Sequence, residues 1–141
     1  MLVESPATPG GTYAAAAAAG IAAILAKSGQ VGQLEPEGVG RHLAGLANIC
    51  RLIGMRPGPA NAFETATYTQ NVWGRSPGEG LQHPQVRIGE AVDAGQPGAR
   101  LTNDFGDGVE RVRVPQDGRI LLHATSLATR SGDPLFAVAA R

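Results

Sequence analysis

The sequence predicts an α/β segment followed by a small all-β domain, a barrel or a sandwich. Three observations predict it. Alanine and leucine dominate the first 56 residues, where helical periodicity flanks one short apolar run. From Ala66 onward, short polar/apolar alternations are separated by turn residues. The 20 glycines and 10 prolines are dispersed rather than clustered, which marks many turns and not disorder. The boundaries expected are 1–56 for the α/β segment, 57–65 for a linker ("PGPANAFET") and 66–141 for the β domain.

The elements follow in order. "TPGGTYAAAAAAG" has a helix start at Thr12 or just before it, six alanines of the highest helix propensity and a stop at Gly20. "IAAILA" (21–26) is apolar throughout and bounded by glycine, so it predicts a strand buried on both faces. A second helix is expected after "GQLEPEG", where Pro36 suits the first helical turn and Glu35 and Glu37 sit near the positive end. Val39, Leu43, Leu46, Cys50 and Ile53 form one apolar stripe, Gly54 closes the helix and Pro57 forbids its resumption. Cys50 on that stripe reads as a small core residue. Helix, strand, helix is one edge of an α/β sheet. A single buried strand has no ladder partner, and each unmet buried backbone group costs about 1–3 kcal/mol. The segment therefore predicts missing neighbours, and its flat apolar edge predicts self-association.

In the β region, "TATYTQNVW" alternates. "PQVRIGEAVDAGQ" places Val86 and Ile88 in a strand, with turns at Gly89-Glu90 and Asp93-Ala94-Gly95. Val112 and Val114 alternate with Arg111 and Arg113, and Asp117-Gly118 is a hairpin signal. "SGDPLFAVAA" adds a final turn and strand.

Composition excludes several function classes. A formal net charge of zero argues against a nucleic-acid partner or an anionic membrane held by bulk electrostatics. "AAAAAAGIAAILA" is too short to span a bilayer core of about 30 Å. No signal peptide opens the chain, and a lone cysteine forms no internal disulfide, so a reducing, cytoplasmic setting is expected. Neither phosphate-loop motif, G-x-x-x-x-G-K or G-x-G-x-x-G, occurs. Ser28 sits in no nucleophile elbow. Asp104, Asp107 and Glu110 in "NDFGDGVE" lack the density of a calcium loop and fit a polar β turn.

Two stretches carry a resemblance. "GIAAILAKSGQVGQLEPEGVGRHLAGLANICRLIGM" resembles the end of the catalytic domain of the succinylglutamate desuccinylase/aspartoacylase family, zinc-dependent hydrolases related to the zinc carboxypeptidases. Residues 68–139 resemble the β domain that follows it. The points of match are Trp73 to Arg75, Gly80-Leu81, Gly89 to Val92, Gly95-Gln96, Asp104 to Gly106, Pro115 to Gly118 and Gly132-Asp133.

The resemblance implies a zinc-carboxypeptidase-like helix-strand-helix end followed by a β domain. It implies hydrolysis of an N-acyl amide or ester of a small acylated substrate, with zinc held by a His-x-x-Glu pair and a later His. Neither part of that ligand set is found here. His42, His83 and His123 have no carboxylate at ligand spacing, and they read as surface or structurally hydrogen-bonded residues. No zinc is expected for this chain alone.

The family's strand ends in a glutamate that acts as general base, and the matching position is Lys27, the single lysine of the chain. A protonated ammonium is no base at neutral pH. Lys27 is either a repurposed base or Schiff-base nucleophile, or a degenerate position, and the degenerate reading is the one expected. The chain then reads as the C-terminal part of such a hydrolase, inactive without its missing N-terminal half. The alternative is a non-catalytic β-barrel module for binding or oligomerisation. "IGEAVDAGQ" and "RSGDPLF" distantly resemble the turns of biotinyl/lipoyl barrels, but residues 28–141 hold no lysine to carry such a cofactor.

Overall fold

The computed structural model describes residues 1–4 and 10–141. The chain divides into two compact units: Met1–Ser5 with Thr65–Arg141, and Pro6–Glu64.

The second of these holds two helices, α1 (Thr12–Ala18) and α2 (Pro36–Leu52). Both end as their glycines dictate. Gly20 and Gly54 take φ of +73° and +76°, conformations that cost a Cβ-bearing residue energy. The Ile21 amide then donates to the Ala16 carbonyl at 2.9 Å, and the Met55 amide to the Cys50 carbonyl at 2.8 Å. These return bonds satisfy carbonyls that the helix ends leave open. Residues 57–64 are tied to α2 by one side chain. Asn48 donates to the Asn61 carbonyl (2.8 Å) and accepts from the Asn61 amide (2.7 Å).

The strand expected at 21–26 does not form. This stretch makes no ladder, and Ile24 and Leu25 are 69% and 61% exposed. A strand exists only through a neighbour, and the described residues offer none here. The stripe on α2 is likewise uncovered: Leu43, Leu46 and Ile53 are all exposed, Cys50 is half-buried, and Gly38 is the one buried residue of the helix.

The larger unit is all β. It comprises β1 (Leu2–Val3), β2 (Thr67–Tyr68), β3 (Gln70–Arg75), β4 (Gly80–Pro84), β5 (Ala91–Val92), β6 (Pro97–Thr102), β7 (Gly108–Arg113), β8 (Gly118–His123), β9 (Ala128–Thr129) and β10 (Pro134–Ala140). β1 and β2 pair in parallel, which places residues 2–3 with this unit. The remaining strands form two antiparallel four-stranded sheets, ordered β3-β10-β8-β5 and β7-β6-β4-β9. Both sheets are open, so of the barrel or sandwich expected, a closed barrel is not what forms: β3, β5, β7 and β9 remain edges.

One core serves both sheets. Ala99 and Leu101 of β6 pack with Val92, Ile120, Leu135, Phe136 and Val138 from the other sheet, and with Val86 and Val114 from loops. Val86 and Ile88 are therefore loop residues rather than strand residues: one is an apolar plug, the other is exposed. Asp117-Gly118 joins strands of different sheets and makes no hairpin. The Asp117 carboxylate instead accepts the Ala94 amide at 2.7 Å, stapling this crossing to the β5–β6 turn. The alternation of Val112 and Val114 against exposed Arg111 and Arg113 holds as expected. Buried Gln82 fixes the approach to β9: its Nε2 donates to the Ala124 (3.0 Å) and Ser126 (2.8 Å) carbonyls.

The Phe136 ring decides how closely the sheets approach. A Cβ built on Gly74, its neighbour on β3, or on Gly98 of β6 would overlap the ring carbons Cζ and Cε1. Both strands give up a side chain so that one aromatic ring fills the space. Gly98→Ala is expected to destabilise the protein by about 1–3 kcal/mol by overpacking. Phe136→Ala should cost about 3–5 kcal/mol by leaving a cavity. Urea denaturation measures both, and unchanged midpoints would contradict this packing.

Candidate functional site

The chemistry-bearing residues singled out from sequence lie in separate places. Lys27 follows the unladdered 21–26 stretch and is exposed. The chain then turns at Gly29 (φ +82°) and rests on the start of α2. A Cβ on Gly29 would stand 3.3 Å from Glu35 Oε2, and one on Gly38 would stand 3.4 Å from Ser28 Oγ. Glycine at both positions lets the 28–29 turn lie flat on the helix start. Among the described residues Ser28 Oγ is enclosed there without a hydrogen-bond partner. Among the described residues Lys27 makes no ion pair, and it lacks the desolvation on which Schiff-base lysines rely.

The histidines do not converge. His42 is half-buried on α2. His83 on β4 shares a 3.1 Å hydrogen bond between its Nε2 and Thr102 Oγ1. His123 ends β8, and its Nδ1–H donates to the Ala124 carbonyl at 3.1 Å. Among the described residues no group of three or more His, Cys, Asp or Glu side chains is placed to hold a metal ion. The residues present do not fit a catalytic zinc, which needs three converging ligands and an open position.

Asp104 and Asp107 lie in the β6–β7 turn, as the spacing predicted, whereas Glu110 lies on strand β7 opposite Leu101. Asn103 organises the turn, and its signal in the sequence is an Asx residue opening a Gly-bearing turn. Asn103 Oδ1 accepts from the Phe105 (3.0 Å) and Asp107 (2.9 Å) amides, and its Nδ2 donates to Asp107 Oδ2 (3.1 Å). Asp104 and Glu110 stay exposed.

One arrangement was not foreseen from sequence. The register aligns His83 with Arg100, and Arg100 with Arg111, in a single row across β4, β6 and β7. Arg111 was legible as an outward residue, but only the pairing of β6 with β7 puts Arg100 opposite it. A second basic feature is Arg75, whose guanidinium lies 5.9 Å from the Trp73 ring centroid and whose Nη1 donates to the Gly132 carbonyl at 2.9 Å. These residues belong to two of the sequence matches noted above, and here they hold β3 to the Gly132 turn.

Comparison with solved structures assigns the fold. A succinylglutamate desuccinylase from a Silicibacter species superposes with a TM-score of 0.79 at 20% identity, over 96% of this chain and 44% of that one. The fold is that of succinylglutamate desuccinylase/aspartoacylase proteins. The ectoine utilization protein EutE (DoeB) from Ruegeria pomeroyi gives a TM-score of 0.69 at 23% identity, over 78% of this chain and 36% of that one. A succinylglutamate desuccinylase/aspartoacylase from Rhodobacter sphaeroides gives 0.64 at 20% identity, over 76% and 36%. The chain thus spans less than half the length of each of these proteins. No protein-family model and no curated protein matches the chain.

With its histidines dispersed, the purified chain is expected to take up far less than one zinc per molecule after incubation with zinc and desalting. Elemental analysis decides this. A ratio of one zinc per chain would mean that the three histidines converge in a way these elements do not allow.

Proposed function

We propose that this chain is the C-terminal portion of a deacylase of the succinylglutamate desuccinylase/aspartoacylase type, a hydrolase of N-acyl amides or esters of small acylated substrates. The observation that carries the reading is the superposition over 96% of the chain on a succinylglutamate desuccinylase. The order of the sequence matches from Trp73 to Asp133 agrees with it.

On this reading the metal ligands come from a polypeptide segment outside residues 1–141, and the chain alone hydrolyses nothing. Lys27 stands where the family's general-base glutamate stands, reverses its charge and has no catalytic role. The exposed apolar residues of 21–26 and α2 are the surface that the missing half covers. A cytoplasmic setting belongs to the proposal. Cys50 is a free thiol, and no helix among the described residues is long and apolar enough to cross a membrane. The second reading, a non-catalytic binding or oligomerisation module, is favoured by one observation: the buried core cluster lies wholly within residues 86–138.

The test reads the DNA upstream of the Met1 codon in three frames. The deacylase reading expects a His-x-x-Glu motif there, in frame or one frameshift away. With none present, the module reading replaces it. In a direct assay the chain alone is expected to release no carboxylate from N-acylated amino acids, and turnover would overturn the inactive assignment.

A further inference from the structure

Within the row His83–Arg100–Arg111, the pair Arg100–Arg111 is costly as it stands. Residues directly opposite on antiparallel strands have Cβ atoms about 4.5–5.5 Å apart, and like charges so placed are destabilising. Among the described residues neither Arg100 nor Arg111 has an ion pair or a side-chain hydrogen bond. Of the other arginines of this unit, Arg75 holds the Gly132 carbonyl, Arg113 the Gly95 carbonyl, and Arg119 the Gly89 carbonyl and Tyr68 hydroxyl. Arg87, Arg130 and Arg141 are also without side-chain partners among the described residues; Arg100 and Arg111 differ from these three in standing opposite each other in register. Two adjacent, unpaired guanidiniums on an open sheet face call for carboxylates from elsewhere.

The same hairpin carries such carboxylates at its other end. The turn between β6 and β7 presents Asp104 and Asp107, of which Asp107 is held by Asn103, and between them Phe105 at 92% exposure. Arg100 and Asp104 are four residues apart, about 13 Å at roughly 3.3 Å per extended residue. The hairpin is thus basic at its base and acidic at its tip, with an aromatic side chain at that tip. A surface of that kind complements itself under a two-fold axis, where each contact is made twice. Its formal net charge of zero sets no long-range repulsion against a second copy.

We propose that two copies of the chain pair through their β6–β7 hairpins, the Asp104 and Asp107 carboxylates of each copy meeting Arg100 and Arg111 of the other, with Phe105 enclosed at the contact. The occupant of the arginine row is then a second copy of this chain rather than a free anion.

Sedimentation of the full chain tests this. A dimer is expected at low salt, loosening as ionic strength rises beyond about 0.1 M, because exposed pairs are screened. Arg100→Glu with Arg111→Glu should weaken association by at least roughly tenfold, and Asp104→Lys should also weaken it. Mixing those two variants should restore a dimer that neither forms alone. Arg100 and Arg111 have no partners within the chain, so circular dichroism of the double variant should match the parent. Arg111→Gln serves as the milder control and should weaken association in the same direction. A monomeric parent would overturn the proposal. So would association that ignores both salt and the arginine variants, the behaviour of apolar contacts through the 21–53 region. Failure of the mixture to restore the dimer, or dissociation of the parent by inorganic phosphate at constant ionic strength, would overturn it as well.

Discussion

The Phe136 ring lies where Gly74 of its own sheet and Gly98 of the opposite sheet leave room for it. Neither sheet alone has a core: β10 runs through the middle of one, β6 through the interior of the other, and their apolar residues meet around this ring. Interiors packed at crystal-like density do not tolerate an added methyl at such a contact. The loops inherit their positions from it. Val86 and Val114 can plug the core from loop segments because the sheet separation is already fixed, and the Asp117 staple and Gln82 clamp then hold connections that run between sheets.

The residues of 10–64 have no comparable organising contact. Helix propensity and two glycine stops are enough to form α1 and α2, but the apolar stripe of α2 and the 21–26 stretch stay in contact with water. That is a local solution without a tertiary one, and short helices draw most of their stability from tertiary packing. The contrast between a β unit with its own core and a helical unit without one is what the proposed missing half would resolve.

Legibility in the sequence followed the range of the interactions. Helix ends were readable because Gly20 and Gly54 act within one turn. The Val112/Val114 alternation and the polar turn of Asp104 and Asp107 were readable for the same reason. What depended on distant partners was not. "IAAILA" has the composition of a buried strand, yet strand formation is a property of a pair, and the described residues offer it no partner. Asp117-Gly118 has hairpin chemistry, but the sheet to which β8 belongs is chosen by the core. The candidate site divides in the same way. The dispersal of His42, His83 and His123 was visible from spacing alone, and no pattern along the chain announces that Arg100 and Arg111 face each other.

Amide hydrogen exchange on the full chain tests the division into a self-sufficient β unit and an uncovered helical one most directly, because protection reports local opening free energy. The account predicts that amides of β6, β8 and β10 exchange slowest, near the global unfolding limit, while residues 21–26 exchange close to the rate of an unstructured peptide. Protection of 21–26 comparable to that of β10 would contradict it, since those amides would then have a ladder partner that the fold described here does not contain.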